Sequence, residues 1–394
     1  MDQADAATKI IEVQTTKGWK LFHRVPHIVY RNDPNFIAPL ESDVESVFDP
    51  EKNKAHENGE IQAFVLLDPQ GQPVGRIAAF IDYNRSIDSP YLLGGIGFFE
   101  CIQNEAYAIA LFQRAQEHLQ DKGVKIIEGP VNFGERDKFW GLLTEGFYPP
   151  LYQENYNPEH YRHYFEDFGF RPFEQILTFR GQLQDVPGER FKAIAERASR
   201  RYGFHAVSLN ESNNKTFAKH FTDVYNVAFR DRPFFKPISP ENMHKIFQQL
   251  RPISDPRMAI VVYVGDKPVG FAAFIPDINP YLRKANGKLN FLSIPGFFYR
   301  LKTAREMLLK GIAFGILPEY QGTGVFAVLV AKAHASPTVT RYQNYYLATI
   351  RGHNSLMIKS ITKLAVQVNR VHLSFRKNLD PAIPFEPYPF LERD

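Results

Sequence analysis

One short segment occurs twice, almost 200 residues apart, and constrains the fold more than any other feature of the chain. Pro73-Val-Gly-Arg-Ile-Ala-Ala-Phe-Ile81 precedes Asp-Tyr-Asn84, and Pro268-Val-Gly-Phe-Ala-Ala-Phe-Ile275 precedes Pro-Asp-Ile-Asn279. Each copy stands behind a strand-like run and a polar turn, residues 63–67 and 68–72 in the first, 259–264 and 265–267 in the second. Apolar runs of this kind on either side of a Gly, Pro or Asp turn read as hairpins. Two matching hairpins predict a duplicated unit. The length of 394 residues agrees, since it exceeds what one hydrophobic core usually organises.

The surroundings of the two hairpins also correspond. After the first come a predicted strand at 92–98, a helix at 105–122 ended by Gly123, a strand at 125–128 and a loop-rich stretch to Pro150. A helix opened by Asn157 and Pro158 and stopped by Gly169 follows, then a strand at 174–182. Pro187-Gly188 marks the linker, so domains of residues 1–187 and 188–394 are expected. The second part opens with a helix at 189–202, a strand at 205–209 and helices at 214–229 and 240–250. Behind its hairpin lie an irregular aromatic insertion from Pro280 to about Tyr299, a helix at 300–309 and a strand at 311–317. A helix to His334, a strand at 344–349, a helix at 355–368 and a strand at 371–376 complete it. Both parts therefore read hairpin, strand, helix, strand, helix, strand, an α/β (α+β) pattern.

Composition narrows the function classes. Cys101 is the single cysteine, which excludes an intramolecular disulfide and a cysteine-based zinc site, and no metal is expected. In Phe-Phe-Glu-Cys-Ile it reads as a buried inert thiol. The first residues lack a basic stretch followed by an apolar one, and no run approaches the ~20 apolar residues of a membrane span, so a cytoplasmic protein is expected. A net charge of +4 does not by itself argue for nucleic acid. Its distribution is uneven: from Tyr320 to Leu379 there is no acid but eight bases, Lys332, Arg341, Arg351, Lys359, Lys363, Arg370, Arg376 and Lys377. Such a segment is either a solvated basic face or a positive field around a polyphosphate.

At the start of that segment, Gly311-Ile-Ala-Phe-Gly-Ile-Leu-Pro-Glu-Tyr-Gln321-Gly-Thr-Gly324-Val-Phe-Ala runs from an apolar strand through a glycine turn into an apolar helix. Glycines allow the tight bend, and the helix start adds unpaired N–H donors and a positive dipole end, an arrangement that binds anions. A Walker A loop is excluded because no Lys follows Gly324. Gly322-x-Gly324-x-x-Ala327 fits the dinucleotide fingerprint, but the acid that would hold the ribose about 20 residues on is missing.

Gln321-Gly-Thr-Gly324-Val-Phe326 and the preceding Ile316-Leu-Pro-Glu-Tyr resemble the acetyl-coenzyme A loop and strand end of the GNAT acyltransferase superfamily, whose order of elements both halves share. Gly97-Phe-Phe-Glu100, Glu128-Gly-Pro-Val-Asn132, Gly141-Leu-Leu, Gly146-Phe and Tyr156-Asn-Pro-Glu-His-Tyr161 are similar to a bacterial group of tandem GNAT-like proteins. The resemblance implies two tandem GNAT-like domains, each with a mixed, mostly antiparallel sheet flanked by helices. It implies acetyl-CoA or another acyl-CoA as cosubstrate and transfer to a small-molecule or peptide amine. Ile316 and Leu317 would meet the pantetheine arm; Gln321, Gly322, Thr323, Gly324, Val325 and Phe326 would form the pyrophosphate loop. Asn354 matches a pantetheine-touching Asn, and equally reads as the N-cap before Ser355.

Two departures from the pattern bear on catalysis. Phe326 is bulky where the loop is usually small, and the position eight residues after Asn354, often a Tyr that protonates the leaving thiolate, is Thr362. Tyr345, Tyr346 and His353 are then candidates for the acid, and Glu306, Asp277, Glu319, a residue of the first half or water relayed by His353 for the base. In the first half Gly97-Phe-Phe-Glu100-Cys-Ile-Gln-Asn-Glu105 places bulk and acids where phosphates would sit, so that half is expected to be structural or to shape the acceptor, with Asn132, Glu135, Arg136 and Trp140 of its long loop either lining a cleft or forming ordinary surface. An aminoacyl-tRNA donor, as in Fem-type transferases, and a non-catalytic coenzyme A sensor are the rival readings.

Overall fold

The two Pro-Val-Gly segments form the second strands of matching hairpins in one continuous sheet. The computed structural model describes residues 8–230, 235 and 237–392. In chain order the first half holds β1 (Lys9–Glu12), α1 (Thr16–Val29), α2 (Glu41–Phe48), β2 (Gly59–Leu67), β3 (Pro73–Asp82), β4 (Leu93–Cys101) and α3 (Glu105–Gln120). It continues with β5 (Ile126–Gly129), β6 (Leu142–Glu145), α4 (Tyr161–Asp167) and β7 (Arg171–Gln182). The second half holds α5 (Gly188–Tyr202), β8 (Phe204–Ser208), α6 (Asn214–Phe229), α7 (Pro240–Leu250), β9 (Ala259–Val264), β10 (Lys267–Pro276), α8 (Asn279–Leu282) and α9 (Ile294–Thr303). Then follow β11 (Met307–Ile316), α10 (Val325–His334), β12 (Tyr342–Arg351), α11 (Ser355–Ile361) and β13 (Gln367–Asn378).

The repeated glycine meets the same need in both hairpins. A Cβ on Gly75 would lie 2.6 Å from Leu111 of α3, and one on Gly270 would lie 2.6 Å from Val325 of α10. In each half the helix that follows the third strand crosses the hairpin there, and only a residue without a side chain admits it. The aspartates that follow the hairpins also match. Asp82 accepts from the N–H of Asn84 at 3.1 Å and Asp277 from that of Asn279 at 3.4 Å.

Strand order is β1-β2-β3-β4-β5-β13-β7-β12-β11-β10-β9-β8, with β6 also on β13. The last strand of the chain thus lies inside the first half, with Phe375 opposite Gly129, while β7 crosses to the second half, with Phe179 opposite Leu347. The link at residue 187 separates β7 from α5, but the sheet does not divide there. The cores follow the strands: Ile358 and Ile361 of α11 and Phe375 of β13 pack with Phe64, Leu111, Phe112 and Phe165 of the first half.

This exchange accounts for much of the acid-free basic segment. Arg351 pairs with Glu174 at 2.9 Å, Arg370 with Glu154 at 3.5 Å and the Arg376 Nε with Glu128 at 3.1 Å, all carboxylates of the first half. Lys332 pairs with Glu211 at 2.8 Å. Those four charges neutralise acids rather than surround the glycine turn.

Some predicted boundaries move. Asn157 is not an N-cap: its amide holds both the N–H and the C=O of Leu143, at 2.7 and 3.1 Å, and α4 begins at Tyr161. The helix predicted at 300–309 lies earlier, at Ile294–Thr303, because Met307–Leu309 already pair with β10 and β12. The helix predicted to 368 ends with Ile361 and a short 3-10 turn, and Ala365 at φ 56° turns the chain into β13.

Candidate functional site

β11 and β12 run parallel and in register only from Met307–Gly311 opposite Tyr342–Leu347. Beyond that point β11 keeps its other neighbour, with Ala313, Phe314, Gly315 and Ile316 opposite Ala273, Ala272, Phe271 and Gly270 of β10. β12 turns off at Thr349, whose φ is 57°. One edge of β11 is therefore left open. A bulge at Ile312, where the register to β10 shifts, marks the start of the opening, and Ile312 is exposed.

The N–H of Leu317 donates to Val269 at 3.0 Å, so strand alternation turns the backbone groups of Phe314 and Ile316 toward the open edge. Leu317 itself is engaged on both sides, since its carbonyl accepts from Tyr320 at 2.9 Å. Of Ile316 and Leu317, only Ile316 has its backbone groups turned to the open edge; Phe314, not singled out in the sequence, has them turned there as well. Alternation along a strand finds it, but only once the pairing with β10 is known.

Beyond Leu317 the chain passes a 3-10 turn at Pro318–Tyr320 and enters the glycine turn. Gly322 has φ 76° and Gly324 φ 107°. Thr323 is tied back to the Tyr320 carbonyl through its hydroxyl at 2.6 Å, and Gln321 is exposed. α10 starts at Val325, and the N–H of Val328 makes its first internal bond, to Gly324 at 3.1 Å. The N–H groups of Val325, Phe326 and Ala327 therefore face out of the helix start, and Gly324 has no side chain to cap them. The equivalent helix of the first half is closed: Asn104 accepts from the N–H of Tyr107 at 3.2 Å, and Glu105 occupies its first turn. There the chain after β5 also stays against β4, the N–H of Val131 donating to Ile96 at 2.8 Å. The first half thus differs at both places: its helix start carries a side-chain cap, and the chain leaving β5 keeps a backbone bond to β4.

Phe326 turns away from the loop. Its ring meets Phe191 of α5 and Phe314 of β11 edge-on, with centroids 5.8 and 5.3 Å apart. Ala198 of α5 lies directly beneath Gly324, and of the five bases on that helix Arg197, Arg200 and Arg201 stand nearest to it in sequence. Glu319 is paired with Lys267 at 3.2 Å. Asn354 caps α11, accepting from the N–H of Met357 at 3.1 Å.

Tyr345, Tyr346, His353 and Glu306, four of the acid–base candidates, are not brought together. Tyr345 is buried under Gly181 and donates its hydroxyl to the Leu364 carbonyl; burial pushes its pKa well up. Tyr346 is buried with the Arg370 guanidinium 5.4 Å above its ring. His353, on the turn after β12, stacks on Tyr388 at 4.5 Å, and partial burial lowers its pKa. Glu306 is exposed at the far end of β11. What converges near β11 instead is a polar group from both halves. Asp277 accepts from the N–H of Tyr152 at 2.9 Å, and the Lys310 ammonium donates to the Tyr152 carbonyl at 2.8 Å. Burial pushes the Asp277 carboxyl above its ordinary range despite Lys310 nearby, and its second oxygen has no hydrogen bond. Around Trp140 the first-half loop is packed: Trp140 is buried with Arg85, Arg136 and Arg351 on its faces, Arg136 pairs with Glu174 at 2.8 Å, and Asn132 donates to the Glu135 carbonyl.

No family model matches the chain. It is 25% identical over 323 residues to a bacterial ceramide synthase of Caulobacter vibrioides, covering 80% of this chain and 81% of that one. Among solved structures, a tandem GNAT protein of the clavulanic acid biosynthesis pathway superposes with a TM-score of 0.53 at 9% identity, over 95% of this chain and all of that one. A GCN5-related glucosamine N-acetyltransferase region of a fungal multi-domain β-N-acetylglucosaminidase gives 0.55 at 14% identity. It is matched by 95% of this chain, which spans 38% of that protein's length. Among the described residues no helix is long and apolar enough to cross a membrane, and no three potential metal ligands cluster. The open strand edge leading to an uncapped helix start, present once in a duplicated αβ unit, is thus set in the GNAT fold, repeated in tandem.

Proposed function

We propose that the chain is an acyl-CoA-dependent N-acyltransferase with its donor site in the second half. The observation that carries this reading is the contrast between the halves: α10 starts uncapped beside an open strand edge, whereas α3 starts with a side-chain cap and Glu105 in its first turn. The pyrophosphate would take the N–H groups of Gly322 and of residues 324–327, and the pantetheine amides would pair with Phe314 and Ile316. The thioester would then lie near the bulge at Ile312, where a backbone N–H can polarise its oxygen. A neutral acceptor amine attacks the carbonyl carbon, the C–N bond forms, the C–S bond breaks, and the amine proton passes through water to the departing thiolate, so that coenzyme A leaves as the thiol.

The relative from Caulobacter suggests the acceptor class. A ceramide is a long-chain amino alcohol acylated on nitrogen, so long-chain amino alcohols are the amines to try first, against polyamines and peptide amines. The pairing of Arg351, Arg370 and Arg376 with first-half carboxylates removes the main support for a tRNA-borne donor.

Calorimetric titration with coenzyme A tests the donor site, with saturable one-to-one binding expected and no detectable heat overturning it. Thiol release from acyl-CoAs of increasing length across the amine panel tests the reaction. Binding without release in the presence of any amine would leave a coenzyme A-binding protein and sink the enzymatic reading.

A further inference from the structure

Apart from the glycine turn, the two halves differ most in the link between the hairpin and the next strand. In the first half it spans residues 83–92; in the second it spans 277–306 and holds α8 and α9. From Pro280 to Arg305 this link contains Arg283, Lys284, Lys288, Arg300, Lys302 and Arg305 and no acid. Its apolar side chains are divided. Leu282, Phe297 and Leu301 belong to the second-half core, whereas Phe291, Leu292 and Tyr299 are 87, 83 and 71% exposed, and Ile294 is exposed beside them. Folded chains seldom leave so dense a group of large apolar residues in water without a use for it.

The bases fall into two groups. Arg283 donates to the carbonyls of Pro34 and Phe36, at 2.6 and 3.2 Å, Arg300 to that of Tyr281 at 3.1 Å, and Lys288 reaches Glu41 at 3.4 Å; these tie the link to its surroundings. Lys284, Lys302 and Arg305 are exposed and form no ion pair among the described residues. Exposed aromatic and aliphatic tips among unopposed cations are the composition of an element that lies in a lipid interface.

We propose that residues 280–305 dock on an anionic bilayer surface, with Phe291, Leu292, Ile294 and Tyr299 entering the headgroup boundary and Lys284, Lys302 and Arg305 meeting lipid phosphates. A second copy of the chain is a poorer occupant, because a two-fold contact would set this acid-free basic patch against itself. The placement suits traffic through the site. The link enters β11 at Met307, about 17 Å along the strand from the bulge at Ile312. The glycine turn lies past the opposite end of β11. An acceptor could arrive from the lipid side while coenzyme A enters from water.

The test is co-flotation of the full chain with vesicles of phosphatidylcholine alone or mixed with phosphatidylglycerol. Expected is partitioning onto the anionic vesicles, reduced about tenfold on phosphatidylcholine alone or at high salt. Phe291→Ser with Leu292→Ser, and separately Lys284→Glu with Lys302→Glu, should each lower it by a similar factor with melting temperature and coenzyme A titration unchanged. Absence of partitioning overturns the proposal, as does equal partitioning of wild type and the Phe291/Leu292 variant. So does self-association in the ultracentrifuge that this variant abolishes without vesicle binding. Flotation is read without donor or acceptor, so a failed coenzyme A titration and a failed flotation bear on separate conclusions.

Discussion

Gly322 and Gly324 share a positive φ, yet a side chain would have different effects at the two. At Gly322 an added Cβ meets open space, so Gly322→Ala carries only the backbone penalty, roughly 1–2 kcal/mol, and the fold should hold. Relief of that strain moves the donors of the turn, and coenzyme A affinity should fall by about tenfold or more in a calorimetric titration. At Gly324 the same atom would stand 2.6 Å from the Ala198 methyl, so Gly324→Val should push α10 from α5 and lower the melting temperature visibly, at a cost of roughly 2–4 kcal/mol. Glu100 offers a prediction of another kind. Burial pushes its carboxyl up to about 7, against the opposing pull of Arg76 at 3.7 Å and the Tyr30 hydroxyl at 2.6 Å. The folded chain then binds this proton more tightly than the unfolded one, so its contribution to stability declines as pH rises from 4.5 to about 7 and is level above. Urea titrations across that window should show a fall of up to roughly 3 kcal/mol, and Glu100→Gln should flatten it. An unchanged slope in the variant would place the titration elsewhere.

Elements whose cause is local were the legible ones. The hairpins, α6, α7 and α10 follow from apolar spacing and from Ser, Asn, Gly and Pro at their ends, and the chain itself shows those. The bulge at Ile312 and the turning-off of β12 at Thr349 depend on register between strands far apart in sequence, which no local pattern carries. The glycine turn could be found, but that Leu317 is engaged on both backbone groups could not. Tyr345 reads as a reactive phenol in sequence, and only its place under Gly181 turns it into a structural one. Asn354 had two readings, and the structure supplies the cap, since its side chain holds the Met357 N–H. Asn354→Ala should cost α11 about 1 kcal/mol. An unchanged coenzyme A affinity would leave it as a cap alone, and a drop of about fivefold or more would add the pantetheine contact.

At the scale of the molecule, the exchange of β7 and β13 decides what can fold separately. Residues 1–187 by themselves would leave the β5 and β7 edges without β13 and the first-half core without Ile358, Ile361 and Phe375. This fragment should lack a cooperative melting transition and near-ultraviolet circular dichroism, while the full chain melts in a single calorimetric transition. A fragment that melts sharply would show the swap to be dispensable. The meaning of the basic stretch was illegible for the same reason, because its carboxylate partners are supplied by strands that only the fold brings near. The interleaving has a further consequence in time. During synthesis at roughly 5–20 residues per second, the stretch from Gln182 to Gln367 takes roughly 10–40 s to emerge, and until then the first half has its hairpin and α3 but no closing strand. The nascent chain must carry an open sheet edge for that interval, so slowed translation of the second half should lower the yield of folded protein more than slowed translation of the first.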